Sequence, residues 1–478
     1  MKHPAPLFAF AVATLAGAFL LSSSTTPPPK RPVVKKTPVK KSTQPVGALT
    51  FADHTLQVTA QLDRTHLQQI PGGVASESVW MNVELQGADT GARADLAAVL
   101  VIDRSGSMAG EKIDNARRAA RRMLNQLKDG DQLAIVSYGS DISVDLPLTF
   151  LNAQSRARAK RVIGSLEEGG GTHIDGGMKA ATRLIQKAQL TGKVGRVILI
   201  SDGRPTEGER RSDVLVRHSN ALREMGVTLS TIGVGLDYNE DLMQALATSG
   251  GGRYHYLKRS RQLSAIVDAE LSHASRIVAR SVQLHLSQSL PGFEVVAVNG
   301  ISTSDKGMIM VKVGDLAAGE KRSVLLRLDV KPIALSAASA RTFAAPEVLY
   351  TKAIDGQPTL LAQRADHFHM ALSNDAHVVD QSRDAHVRVQ VLKMATAMEL
   401  QTSMKAYSRG DLKGATDGLQ KRMSALSSVA KETGDNDLKR EAENVSRVLK
   451  KLRKAAPKSD LGMDLVKEQK AHAFDLLY

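Results

Sequence analysis

An apolar run from Leu96 to Ile102 stops at Asp103, and the chain continues Arg-Ser-Gly-Ser, which puts hydroxyls at Ser105 and Ser107. Further on, three glycines at 169–171 precede Thr172, and a second apolar run, VILI, leads through Ser201 to Asp202. If both runs are strands of one sheet, these loops leave the same edge and bring together three hydroxyls and two carboxylates. An all-oxygen set of that kind suits a small hard dication: Mg²⁺, or alternatively Mn²⁺ or Ca²⁺. Neutral hydroxyls leave such an ion electrophilic, so it has room for an anionic oxygen from outside, an Asp or Glu of a partner protein. The glycines let their loop come close to the site. Each piece alone has a plainer reading. DxSxS is most often a capped turn, and Asp202 could cap the helix that starts near residue 212. The argument rests on three pieces falling at strand ends in one order.

The elements that must hold these residues are legible from about 96 to 270. Apolar strands (LAAVLVID, QLAIVSYG, RVILISDG, TLSTIGVG, RYHYL) alternate with helical stretches such as KIDNARRAARRMLNQL, IDGGMKAATRLIQKA and SDVLVRHSNALREMG. This predicts a doubly wound, mostly parallel α/β sheet covered on both faces, with ligands at the carboxyl ends of its strands. On either side the period changes to two. TLQVTAQL and SVWMNVELQ precede the α/β part, with PGG at 71–73 as the turn between them; SVQLHLSQ, FEVVAVNG, MIMVKV and SVLLRLDV follow it. These strands predict a flanking antiparallel β-sandwich, with the α/β part inserted between its halves. Apolar residues three and four apart predict helices over 375–456.

The expected organisation is a signal peptide or membrane anchor at 1–24, a Pro- and Lys-rich linker at 25–47, β strands at 48–94 and the α/β domain at 95–270. An antiparallel β domain at 271–350, helices at 375–456 and a tail at 457–478 complete it. The leader reading rests on Lys2 and His3 before an apolar run from Leu7 to Leu21, too short for an ordinary spanning helix. It implies export: a periplasmic, cell-surface or outward-facing anchored protein. Cysteine is absent, which excludes disulfides, thiolate nucleophiles and Cys zinc sites. Sixty-four Lys+Arg against 49 Asp+Glu leave a net charge of +15. The linker and the segment LKKLRKAAPK concentrate part of that excess and suit an anionic envelope polymer or lipid. Nucleic acid is not expected as a partner, because aromatics are only 4% and no recognition motif occurs.

DRSGS, GGGTHI and VILISDG resemble the three segments of the metal-ion-dependent adhesion site of von Willebrand factor type A domains. TIGVGLDYNEDLMQALATSGGGRYHYL and DLAAGEKRSVLLRLDV further resemble exported bacterial members related to calcium-activated chloride channel regulators and inter-alpha-trypsin inhibitor heavy chains. The resemblance implies that Ser105, Ser107 and Thr172 bind the ion directly and that Asp103 and Asp202 bind it through water. It also implies a protein-binding adhesion or assembly module rather than an enzyme. His173 departs from the pattern, standing where a small polar residue is expected.

Two rival functions belong to other classes. A Mg²⁺-dependent phosphohydrolase would use Asp103 as nucleophile, yet position 105 offers a serine where a second acid is wanted. A structural envelope protein would need only the basic segments. Of the remaining features, Asp237 or Asn239 reads as a helix cap, His367 and His369 as strand residues without a third zinc ligand, and the Met-rich stretch from Met394 to Met404 as core.

Overall fold

Leu56, Val58, Ala60 and Leu62 alternate with other side chains, and in the computed structural model of the chain all four point into a core from one extended strand. The structure describes residues 46–477 apart from 72, 75–76, 90, 92, 189, 191, 203, 236–237, 258–262, 291–292, 298, 300, 306, 331–340, 354–355 and 362–366. The expected leader, and the linker up to residue 45, lie outside the described residues. Five strands come first: β1 (Ala48–Ala52), β2 (Leu56–Leu62), β3 (His66–Ile70), β4 (Gly73–Val74) and β5 (Ser78–Gly87). Where the sequence suggests one turn between β2 and β5, the structure places the small pair β3 and β4. Only Leu67 of HLQQI is fully buried, too little alternation to announce a strand.

The central sheet holds β6 (Asp95–Asp103), β7 (Gln132–Tyr138), β8 (Ile142–Phe150), β9 (Lys193–Ser201), β10 (Val227–Val234) and β11 (Gly251–Leu257). Its order is β11-β10-β9-β6-β7-β8, and every pairing is parallel except that of β7 with β8. Helices α1 (Glu111–Gln126), α2 (Ala153–Gly164), α3 (Ile174–Ile185), α4 (Ser212–Glu224), α5 (Glu240–Ser249) and α6 (Leu263–Ser275) cover it. Successive residues of β6 serve opposite faces. Leu96, Ala98, Leu100 and Ile102 share one core with Ile113, Ala116 and Met123 of α1; Ala97, Val99 and Val101 share another with Ile174 and Met178 of α3. Strand β8 is an addition to the sequence reading. It is an edge strand, half-exposed and interrupted by Pro147, which an edge tolerates and which hides its pattern.

Beyond the α/β part run β12 (Ile277–Ser287), β13 (Ser289–Leu290), β14 (Phe293–Ala297), β15 (Ile301–Asp305), β16 (Met308–Ala317), β17 (Lys321–Val330), β18 (Arg341–Ala344), β19 (Glu347–Lys352), β20 (Pro358–Leu361) and β21 (His367–Ser373). They join the N-terminal strands. One antiparallel sheet runs β1-β2-β5-β17-β14-β13, a second β15-β16-β12-β19-β20, and a small third β18-β21-β3-β4. Val83 of β5 pairs with Val324 of β17, so residues on both sides of the α/β part lie side by side. Their inward side chains form one core, from Leu49 and Phe51 through Phe293 to Phe368 and Met370.

Five helices end the chain: α7 (Ala376–Gln381), α8 (Ala385–Ser408), α9 (Leu412–Thr433), α10 (Asn436–Leu452) and α11 (Asp460–Leu477). Helices α8 to α11 pack around Leu400, Tyr407, Leu419, Val445 and Leu465. The span read from sequence as a tail contains α11, which inserts Phe474 into the core on the α3 face of the central sheet. Lys467 and Lys470 of α11 reach Glu240 at 2.8 and 3.1 Å, and Lys470 also meets Asp241 at 2.7 Å.

Candidate functional site

Strands β6 and β9 are direct neighbours in parallel register, Ile102 opposite Ile200, so Asp103 and Asp202 emerge together at the carboxyl edge. The Asp103 side chain is wholly buried. Its Oδ1 accepts the backbone N–H of Ser105 at 2.9 Å, which fixes the turn, and its Oδ2 accepts the Ser201 hydroxyl at 2.6 Å. The Ser105 and Ser107 hydroxyls are 3.0 Å apart, and Ser107 donates to Asp202 Oδ1 at 2.8 Å. Asp103, Ser105, Ser107 and Asp202 therefore form one hydrogen-bonded cluster across two loops. Asp202 does not cap the next helix; the residue at that position is Arg211.

The third loop is laced to the first by its backbone. Gly169 N–H donates to Arg104 O at 2.7 Å, and Gly106 N–H donates to Gly170 O at 3.0 Å. Gly170 has φ +78° and lies against Ser140, where a Cβ would come within 2.8 Å of the Ser140 amide nitrogen. Only glycine combines that backbone with that approach. Thr172, at the end of this loop, is buried; its N–H donates to Thr206 Oγ1 at 2.8 Å, and its carbonyl accepts from the Thr206 and Glu207 amides at 3.0 and 3.2 Å. The segment after Asp202 thus holds the Thr172 backbone through the Thr206 hydroxyl and two main-chain amides. Glu207 completes this rim by accepting the Ser140 hydroxyl at 2.6 Å.

Two buried carboxylates on adjacent strands carry an electrostatic cost. Burial raises the Asp103 carboxyl above the ordinary aspartate range; hydrogen bonds from Ser201 and Ser105 oppose the rise, and the charge of Asp202 adds to it. The phenol of Tyr138 is pushed well above its usual value by burial and then by the charge of Asp103. Lys112 partly balances the site: its Nζ stands 2.5 Å from Asp202 Oδ2. The donor set fits a small hard cation. It offers hydroxyl and carboxylate oxygens, strong buried negative charge and a single ammonium against it. Residues able to hold such an ion are Asp103, Ser105, Ser107, Thr172 and Asp202.

Sequence reasoning missed Ser201, Lys112 and Glu207. A signal existed for Lys112: a cation in the first turn of α1 runs against the helix dipole and needs a local acid to favour it. The other candidates have ordinary places. Asn239 caps α5 by accepting from Leu242 N–H at 3.1 Å, whereas Asp237 lies outside the described residues. His367 and His369 pair with Ala344 and Thr342 on the neighbouring strand. Met394 is buried and Met404 belongs to the helical core, but Met398 is 48% exposed, so the Met-rich stretch is core only in part. His173 is half-buried against Gly208, at the start of α3. Among the described residues no three or more His, Cys, Asp or Glu side chains cluster as a metal site.

Residues 98–269 match the family model of the von Willebrand factor type A domain. The chain carries a von Willebrand factor type A domain. Its relatives include an uncharacterized protein, sll0103, of Synechocystis sp., 24% identical over 338 residues that span 69% of this chain and 78% of the relative. YfbK of Escherichia coli, also uncharacterized, is 30% identical over 39% of this chain and 33% of its own length. Inter-alpha-trypsin inhibitor heavy chain H1 of Mesocricetus auratus is 29% identical over 47% of this chain and 26% of its own. The chain thus spans a third or less of the latter two. Among solved structures, a von Willebrand factor type A protein from Catenulispora acidiphila superposes with a TM-score of 0.67 at 20% identity, covering 89% of this chain and 99% of that one. The ArnB paralogue VWA2 from Sulfolobus acidocaldarius gives 0.56 at 19% identity over the same shares. These two share the fold of this chain well beyond the type A domain.

Proposed function

We propose that this chain is an exported, divalent-cation-dependent protein-binding module. Asp103, Ser105, Ser107, Thr172 and Asp202 hold the cation, and a carboxylate from a partner protein completes its coordination. The ion, Mg²⁺ by the hardness of the donors, supplies an electrophilic point at the surface of the domain. The chain's own residues do the rest. Ser201 and the Ser105 amide fix the Asp103 carboxylate, Ser107 orients Asp202, and the Gly169–Gly171 loop brings Thr172 to the rim. The module acts by adhesion or assembly, without turnover. The observation that carries this reading is the hydrogen-bonded cluster of Asp103, Ser105, Ser107 and Asp202 at adjacent strand ends of a type A domain.

The apolar run Leu7–Leu21 supports export. Among the described residues no helix is long and apolar enough to cross a membrane. A second contact, with an anionic envelope polymer or lipid, is favoured by the end of α10 and the turn after it, where Arg447, Lys450, Arg453, Lys454 and Lys458 are all exposed. The test is capture from envelope extracts with and without EDTA, using the wild-type chain and Asp103→Ala. Loss of one partner in both treatments supports the proposal; capture indifferent to both refutes it.

A further inference from the structure

Opposite the carboxyl edge, Arg196 stands in the first half of β9 and is only 2% exposed. It lines a cavity of about 400 Å³ where the type A domain, strand β16, the turn into β17 and the end of α11 meet. Its Nε and Nη2 are buried and have no hydrogen-bond partner among the described residues. These two nitrogens form one edge of the guanidinium, whose parallel N–H bonds match two oxygens of a single carboxylate or phosphate. A buried fork left open is costly, and native structures rarely leave one unmet.

Four acids line the same cavity: Glu270, Glu320, Asp315 and Asp475. Asp315 accepts the Thr228 hydroxyl at 2.8 Å and the Ser281 amide at 3.0 Å, and burial raises the Asp475 carboxyl, which weakens its charge there. Glu270 pairs with His255 at 2.8 Å, and Glu320 is held by His273 at 2.7 Å and by Arg322 at 2.6 Å. Burial alone would raise the Glu270 carboxyl, but the bond from His255 and the charges of His255 and Arg196 outweigh it and hold the group at about 2. Glu270 thus stays ionised yet spends its bond on the imidazole. Arg322 presents a third buried donor without a partner, its Nε, to the same cavity.

We infer that this cavity is an anion site, in which Arg196 grips a phosphate or carboxylate group of a small molecule through its open Nε/Nη2 edge. The site lies where three parts of the chain converge, so its ligand also ties them together. The test uses the full chain, with inorganic phosphate and acetate as separate probes and chloride at equal ionic strength as reference. Calorimetry is expected to show saturable binding of at least one probe at about millimolar strength, with a matching rise in melting temperature. A preference for phosphate or for acetate identifies the group. Arg196→Met keeps the aliphatic stem and removes the fork; Glu270 retains its His255 partner, so the variant should still fold and melt cooperatively in chloride. It should bind the probe about 100-fold more weakly. Arg196→Lys, which keeps the charge but loses the fork, should fall between them. No saturable binding by the wild-type chain, or a response unchanged in Arg196→Met, overturns the assignment and leaves an adventitious ion only.

Discussion

Lys112 offers a sharp test of the site, because its effects on the metal-free and metal-loaded chain have opposite signs. Its ammonium lies 2.5 Å from Asp202 Oδ2, with the Asp202 side chain wholly buried and the Lys112 side chain 27% exposed. Lys112→Met keeps the apolar stem and removes the charge. Without metal, the buried carboxylate loses its nearest cation, which should cost about 2–3 kcal/mol. With metal, the sign reverses. A unit charge and a dication sharing one carboxylate repel by about 7 kcal/mol at ~5 Å and an effective dielectric of ~20. Lys112 sheds much of that by swinging outward. A remaining penalty of about 1.5–3 kcal/mol predicts that Lys112→Met binds Mg²⁺ about 10–100-fold more tightly. The assays are calorimetric titration with Mg²⁺ and denaturant unfolding in EDTA and in saturating Mg²⁺. A variant less stable in EDTA and tighter for Mg²⁺ supports the site; one whose Mg²⁺ affinity falls or stays unchanged refutes the geometry assigned to it.

Three further outcomes follow. Asp103→Asn, nearly isosteric, should melt within a few degrees of wild type yet lose Mg²⁺ binding in the same titration; retained affinity would remove Asp103 from the site. Asp131 is buried, takes both ends of the Arg93 fork at 3.1 and 2.6 Å and accepts the Leu96 and Lys128 amides at 2.9 and 2.7 Å, so Asp131→Ala should cost about 3–5 kcal/mol in urea unfolding. For Glu240, burial pushes the carboxyl up, but the bond and charge of Lys467 and the charge of Lys470 outweigh it and hold it at about 2. A depressed carboxyl stabilises above its unfolded value near 4.5 and loses that contribution as pH falls toward 2, so amide exchange in α11 should speed up over that interval before the central sheet does.

The central sheet was legible because parallel strands are buried on both faces and read as continuous apolar runs, and the loops that follow them carried DxSxS, Thr172 and Asp202 in order. The elements that escaped lack such runs. Strand β8 is half-exposed and holds a proline, and β3 buries one leucine. In α11, Lys467, Gln469 and Lys470 are buried as polar residues, which blurs the apolar stripe expected of a core helix. The site's counter-charge escaped for a different reason. Lys112 belongs by spacing to a helix, and only the fold shows that its first turn faces Asp202. Arg196 likewise reads as the polar edge of RVILIS, while its burial depends on strands more than a hundred residues downstream.

The pairing of Val83 with Val324 has a consequence for biogenesis. At ordinary elongation rates, β2 and β5 emerge roughly 10–50 s before the strand that completes their sheet. Through that interval the edge of β5 that will meet β17 stays open to other chains, and the apolar face it shares with β2 stays uncovered. The type A domain, whose own strands and helices are all made well before β17 appears even though Phe474 joins its core later, acts as a clasp. Once folded, it brings its two ends together, as the Ala94 amide bonded to Ser275 O shows, and shortens the search that closes the sandwich. Mutations that slow its folding should therefore surface as aggregation through β2 and β5, far from the residues changed.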